Sequence, residues 1–197
     1  MEKPYQDILF DNLKKYTRLD DDAVMALVRD IPVTAAKKGE ILLRQGDKPT
    51  CSFYLIHGCV RQYACNEQGK EATVNFYVEE EPINMFSFVD SDGMSLYSLA
   101  CLEDCLLVQC ADTAGENSHP DAAVDGMKHQ MFAEQYTQMQ KHYTSFKLKS
   151  PQERLIQLRA QRPELLTRVP QVYLASYLGM TPEAFSRIKK RIQDEKS

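Results

Sequence analysis

No apolar run in the 197 residues approaches the roughly 20 needed to cross a bilayer. The opening stretch MEKPYQDILFDNLKKY also lacks the small-residue cleavage pattern of a signal peptide, so the expected location is the cytoplasm, with no membrane partner. No C-x-x-C pair occurs among the six cysteines, Cys51, Cys59, Cys65, Cys101, Cys105 and Cys110, which removes the usual seed of a zinc or redox site. Two readings of these thiols stay open. The favoured one is small buried hydrophobes on strands, since cysteine is among the most buried residue types; the other is a redox or iron–sulfur role. Iron–sulfur and haem chemistry lack positive support, the cysteines being outside an N-terminal cluster, and no cofactor or metal is expected.

Catalytic signatures are missing as well. His57 sits in a turn signal and His119, His129 and His142 lie late in the chain, so the H-x-H pair of a cupin-type metal barrel is absent. Nucleophile-elbow and P-loop spacings are absent too. An enzyme is not expected.

What is present is a globular chain, 43% hydrophobic and 26% charged, large enough for one substantial core and a small second one. Its net charge of −4 conceals a division: residues 147–197 hold eleven Lys/Arg against five Asp/Glu, a net of +6, which leaves −10 on residues 1–146. The tail suits a polyanion and the front repels one.

The apolar period changes along the chain in step with this division. Ile8, Leu9, Leu13, Tyr16, Leu19, Val24, Leu27, Val28 and Ile31 recur mostly at three- and four-residue spacing around Asp20-Asp21-Asp22, which predicts two short helices. After Lys37-Lys38-Gly39 come short β-rich runs, ILLRQ, SFYLIHG, CVRQYAC, EATVNFYV, SLYSLAC and CLLVQC. Gly46-Asp47, His57-Gly58, Asn66 to Gly69 and Ser91-Asp92-Gly93 punctuate them as turns, and an antiparallel barrel or sandwich follows. The segment ADTAGENSHPDAAVDG is poor in large apolar side chains, so the barrel is expected to close before it.

Beyond that segment Phe132, Tyr136, Met139, Tyr143 and Phe146 are spaced 4, 3, 4, 3, a heptad seam on one long helix. A homodimer seam is the favoured reading, a helix packed on its own domain the other. Ser150-Pro151-Gln152-Glu153 then starts a further helix, with Ser150 as cap and Pro151 in the first turn, and Arg162-Pro163 ends it.

The most specific signal runs from Gln171 to Lys190, QVYLASYLGMTPEAFSRIKK. Ala175 is small where two helices would cross, Gly179 can take a left-handed turn, and Leu174, Leu178, Met180, Phe185 and Ile188 supply a shared core. Thr181 caps the second helix, Pro182 fits its first position and Glu183 complements its dipole. Thr181, Glu183, Ser186, Arg187 and Lys190 then fall on or near the outward face, around the basic run Lys189-Lys190-Arg191. Arginine can fork onto guanine O6 and N7, glutamate can accept from cytosine N4, and serine and lysine can hold phosphates. An ordinary helical hairpin with a solvated basic face is the alternative.

RVPQVYLASYLGMTPEAFSRIKKRI resembles the C-terminal helix-turn-helix of the Crp/Fnr family of transcription regulators. KKGEILLRQGD, FYLIHGCVRQY and NEQGKE resemble that family's cyclic-nucleotide-binding-type barrel, and SPQERLIQL its helix joining the dimer helix to the DNA-binding domain. The resemblance implies an α+β chain: an N-terminal antiparallel β-barrel of the double-stranded β-helix or jelly-roll kind over 1–115, a dimerisation helix over 116–149 and a helix-turn-helix domain over 150–197. It implies a homodimer on double-stranded DNA bearing a palindromic operator, with RNA polymerase as a further candidate partner. Glu183 and Arg187 match base-reading positions, Ser186 lies between them, and Thr181 matches a phosphate-contacting position. Pro182 stands where another contacting arginine is found in well-known members, so their half-site sequence does not carry over.

The cyclic-nucleotide binders of this family hold the phosphate with a Gly-Glu-Leu stretch and an Arg-Ser or Arg-Thr pair. Here the matching region reads EPINMFSFVDSDGMSLYSLAC, with Ser95-Leu96 near the pair's position and no arginine between Arg61 and Arg154. The expected effector is therefore not cyclic AMP. Met85, Phe86, Phe88 and Tyr97 are the residues that would line an apolar effector pocket, or else simply fill the core. Three classes stand in order: a DNA-binding regulator, a ligand-sensing module whose tail binds protein, and an enzyme.

Overall fold

The computed structural model describes residues 5–111 and 122–194, apart from the side chains of some of these, Cys110, most of the first turns of the helix after residue 121, His129 and Phe132 among them. The described parts of Met1–Gln62 and Phe76–Tyr136 form one compact unit, and those of Tyr63–Asn75 and Thr137–Ser197 a second.

The first unit opens with helices α1 (Tyr5–Tyr16) and α2 (Asp21–Asp30). Asp20 closes the start of α2, its carboxylate accepting the Ala23 N–H at 2.9 Å, while Asp21 and Asp22 meet the positive end of the helix dipole. Lys14 spans the corner, its Nζ donating to Leu19 O at 2.9 Å and pairing with Asp21 at 2.9 Å. Leu9, Val24 and Val28 are buried by packing against Ile56 and Val108 of the strands that follow. The acidic triplet expected between two helices thus becomes the cap and first turn of the second.

Eight strands follow: β1 (Val33–Ala36), β2 (Ile41–Leu43), β3 (Cys51–His57), β4 (Val60–Cys65), β5 (Glu71–Tyr77), β6 (Pro82–Ile83), β7 (Ser98–Cys101) and β8 (Cys105–Ala111). They divide into two four-stranded sheets, ordered β1-β8-β3-β6 and β2-β7-β4-β5, with antiparallel registers such as Val33 opposite Val108 and Tyr54 opposite the same residue. Leu55, Val60, Tyr77, Ile83, Leu99 and Leu107 fill the core of this part. A short 3-10 turn at Met85–Phe88, capped by the Asn84 side chain, interrupts the strand sequence before β7. The antiparallel β architecture and flanking helices expected from the period changes are all present. The short turn is not legible as such in MFSF, which reads equally well as strand.

Helix α3 runs from Ala122 to Leu148. Residues 112–121, His119 among them, lie outside the described residues, and the apolar-poor segment ends in the first turn of α3. Then come α4 (Pro151–Gln161), α5 (Leu165–Arg168), α6 (Gln171–Tyr177) and α7 (Pro182–Asp194). Ser150 and Glu153 form a reciprocal capping box on α4: the Glu153 N–H donates to Ser150 Oγ at 3.3 Å, and the Ser150 N–H donates to Glu153 Oε2 at 2.8 Å. Glu153 is held below the usual carboxylate range by the Ser150 side chain and backbone, then by Lys149. Leu155, Leu158, Leu165, Val169, Leu174, Ala175, Leu178, Phe185 and Ile192 are buried residues of this second unit.

Candidate nucleic-acid interface

Helices α6 and α7 owe their geometry to three residues at the turn. Gly179 has φ of +65°, and a Cβ there would stand 2.6 Å from Phe146 Cζ, so both the backbone and the space demand glycine. The Gly179 N–H donates to Ser176 O and the Met180 N–H to Ala175 O, each at 3.0 Å, which satisfies carbonyls at the end of α6. Thr181 Oγ1 accepts the Ala184 N–H at 3.2 Å and starts α7, with Pro182 in its first position.

Helical periodicity then sorts α7 into two faces. Phe185 is fully buried and Ile192 nearly so, with Ile188 half-buried between them. Thr181, Glu183, Ser186, Arg187, Lys190 and Arg191 are all exposed. Lys189, four residues after Phe185, is half-buried on the flank, where its aliphatic stem can cover apolar surface while the ammonium reaches water. Glu183 is held below the usual carboxylate range by its own backbone N–H and then by the Thr181 hydroxyl, so it is an acceptor throughout the neutral range. The outward face therefore offers one carboxylate and three cations together, the chemistry that reads base edges and holds phosphates.

A joint that sequence reasoning missed supports this face. Arg154 on α4 donates Nε to Leu178 O at 3.0 Å and Nη1 to Phe146 O at 3.1 Å and Lys149 O at 2.8 Å, with its guanidinium 4.4 Å over the Phe146 ring. Its charge thus sits against the carbonyl ends of α3 and α6, where a cation is favoured. Beside it the His142 and Tyr177 rings stack at 4.6 Å, and Tyr177 Oη lies 3.1 Å from His142 Nδ1. Burial holds His142 below its ordinary pKa of 6.5, and the guanidinium groups of Arg154 and Arg162 push it the same way. Arg154 stood in the SPQERL segment, yet nothing in its spacing shows that it would clasp two helix ends far apart in sequence.

On α3 the four seam residues whose side chains are described are exposed. Tyr136 is 60% exposed, Met139 59%, Tyr143 59% and Phe146 41%, values far above those of packed aromatics. Phe146 is the least exposed because one side of its ring meets Gly179 and Arg154.

In the barrel, Met85 and Phe88 are buried with the core cluster, Tyr97 packs against it, and the Phe88 and Tyr97 rings meet edge-on at 5.7 Å. Phe86 is half-buried outside that cluster. A polar pair, unforeseen from the sequence, lies among these residues: Tyr77 Oη donates to Gln62 Oε1 at 3.1 Å in a buried bond. At the position of the missing arginine pair, the Ser95 hydroxyl donates to Tyr97 O at 2.7 Å and Leu96 is exposed. Arg61 is buried at 4% exposure, but strand alternation sets it on the opposite face of β4 from Val60, a core residue.

Residues 33–113 match the cyclic nucleotide-binding domain family. Among solved structures the chain is similar to FixK2 from Bradyrhizobium japonicum, at 16% identity and a TM-score of 0.67, covering 84% of this chain and 85% of that one. It is similar to a CRP/FNR-family transcriptional regulator from Thermus thermophilus, at 16% identity and a TM-score of 0.64, covering 83% and 87%. It is also similar to CLP from Xanthomonas campestris, described as a c-di-GMP responsive global regulator, at 16% identity and a TM-score of 0.65, covering 89% and 93%. No curated protein matches the chain in sequence. The chain thus carries a cyclic nucleotide-binding-type barrel and shares the fold of the CRP/FNR transcription regulators, as its motifs lead one to expect. Among the described residues no helix is long and apolar enough to cross a membrane.

Proposed function

We propose that this chain is a DNA-binding transcription regulator of the Crp/Fnr type, which reads a two-fold symmetric operator as a homodimer paired along α3. The observation that carries the reading is α7: one face is buried to the last turn, and the other presents Glu183, Ser186, Arg187 and Lys190 to solvent beside a correctly formed turn. The bare row on α3 supports the dimer, since two recognition helices about 34 Å apart can enter successive major grooves on one DNA face. Binding to duplex DNA should weaken steeply with salt, as phosphate-directed cations release counterions. Arg187→Ala is expected to cost roughly 1–3 kcal/mol on the cognate operator and much less on random duplex. Equal losses on both, measured by fluorescence anisotropy, demote Arg187 to a phosphate contact; a wild-type chain with no affinity for duplex favours a protein-binding tail.

The barrel's effector, on this reading, is not cyclic AMP. A buried phosphodiester needs a paired cation or several donors, and an unpaired one costs several kcal/mol. Ser95 commits its hydroxyl to the backbone, and the only arginines within residues 33–113 are exposed Arg44 and buried Arg61, which alternation sets on the face of β4 opposite the core residue Val60. Calorimetric titration with cyclic AMP is expected to give no saturable heat. A dissociation constant in the micromolar range or tighter overturns this.

A further inference from the structure

Between the last two turns of α3, helix α4 and the end of α6 lies a partly open cavity of about 50 Å³, room for a few waters or one small tetrahedral ion. Leu158, Leu178 and the Tyr177 ring are its buried, apolar part. The rest is a row of hydrogen-bonding groups whose acceptors are already used. Gln157 Oε1 accepts both Ser145 Oγ and Lys149 Nζ at 2.7 Å, and Gln157 Nε2 donates to Gln161 Oε1 at 3.0 Å, so this chain, which starts at an ammonium group, ends on the Gln161 amide N–H donors. Tyr177 Oη takes up His142 Nδ1 at 3.1 Å, which leaves Nε2 as the ring nitrogen to serve a ligand. Two guanidinium groups, Arg154 and Arg162, line the same cavity, and no lining residue carries a carboxylate. Arg154 meets its three carbonyls through Nε and Nη1, with Nη2 left over. Glu164 lies near Arg162 but outside the cavity lining, and its Oε1 stands 3.6 Å from Nε, beyond hydrogen-bond length. His142 registers the excess of positive charge: burial and then both guanidinium groups hold it below 6.5, with no anion among the causes. Like charges gathered where water is restricted repel one another until something negative comes between them.

We propose that this cavity is an oxyanion site, which takes inorganic phosphate or the phosphate end of a small monoester. Arg154 and Arg162 supply the charge, and a guanidinium suits the task because its planar donors match two oxygens of a phosphate at once. Gln161 and His142 add neutral donors, and the apolar side against Leu158 and Tyr177 limits the size of what enters. Because α3, α4 and α6 all contribute residues, a bound ion ties α6 to the end of α3. The assignment stands on this cavity alone and is independent of what α7 binds.

The test uses the full chain, with inorganic phosphate added against chloride at constant ionic strength. Calorimetry should show saturable binding. In proton–nitrogen spectra recorded across a pH series, His142 should titrate at a higher pH with phosphate than with chloride, because the bound anion offsets the guanidinium charges that hold its pKa down, while His57 should not respond. Arg162→Gln should weaken phosphate by at least about tenfold, and Arg159→Gln, on the exposed side of α4, should leave it unchanged. A parallel titration with glycerol 3-phosphate separates the two sources: tighter binding than phosphate assigns the monoester, weaker binding the free ion, and both uphold the site. The wild-type histidine titration is decisive by itself, so a poorly folded variant does not rescue the idea. The proposal is overturned by the absence of saturable heat, by a His142 titration indifferent to phosphate, or by binding that is lost on Lys190→Gln yet kept on Arg162→Gln, which would put the ion on α7.

Discussion

Helices α3 and α7 carry similar apolar rows and meet opposite fates. On α7 the row of Phe185, Ile188 and Ile192 turns inward and is covered by the chain itself, leaving the polar side bare. On α3 the row of Tyr136, Met139, Tyr143 and Phe146 stays 41–60% exposed. A helix keeps such a row in water only at the expense of apolar surface left unburied, roughly 25 cal/mol for each Å². The difference teaches where to look for what the chain does not supply. On the function proposed above, the polar, charged face of α7 meets a polyanion and the apolar row of α3 meets another helix.

The comparison is broken most forcefully at its buried end. Phe185→Ala removes a fully buried ring from α7 and should cost roughly 3–5 kcal/mol of stability, read as a lowered urea midpoint. A loss below about 1 kcal/mol means that the row on α7 is not the anchor of this unit. Next comes Met139→Glu, which places a charge in the middle of the α3 row. If that row is a dimer seam, dimerisation should weaken by roughly 2–4 kcal/mol in sedimentation, with operator binding falling alongside and the monomer's own stability unchanged. An undisturbed dimer returns the row to the alternative of packing within one chain.

The smallest effect is expected at His142, on α3 itself. Its folded pKa lies below 6.5 because burial and then two guanidinium groups disfavour the imidazolium, whereas in the unfolded chain it titrates near 6.5. Its contribution to stability is therefore complete above that pH. The contribution is lost as pH falls, since the unfolded chain takes the proton first. Between pH 7.5 and 5.5 the wild-type melting temperature should fall more than that of His142→Gln; parallel falls refute the assignment.

These helices also show what a sequence makes legible. Local chemistry was plain: Ser150 and Thr181 each cap a helix through a bond that spans three residues, and Gly179 takes the left-handed turn its context implies. Strand runs and turn glycines were equally readable, because period and punctuation are short-range properties. Arg154 reaching Leu178, His142 stacking on Tyr177 and Tyr77 bonding Gln62 were not. Each depends on how the fold brings strands or helices together, which no periodicity encodes. The outward face of α7 was legible as a set, but the half-buried flank position of Lys189 emerged only with the three-dimensional placement of Phe185.

The clasp at Arg154 bears on how this C-terminal unit could be moved between proteins. A lysine there would gather its donors on one nitrogen, and could not spread them over the three carbonyls as a planar fork while lying flat on a ring. The α6–α7 pair is consequently not a cassette that begins at the first residue of α6. Transplanted onto another helix, it would have to travel with the last turn of α3, with Ser150 and Arg154, and with Gly179, because the portable piece is the joint and the helix pair together.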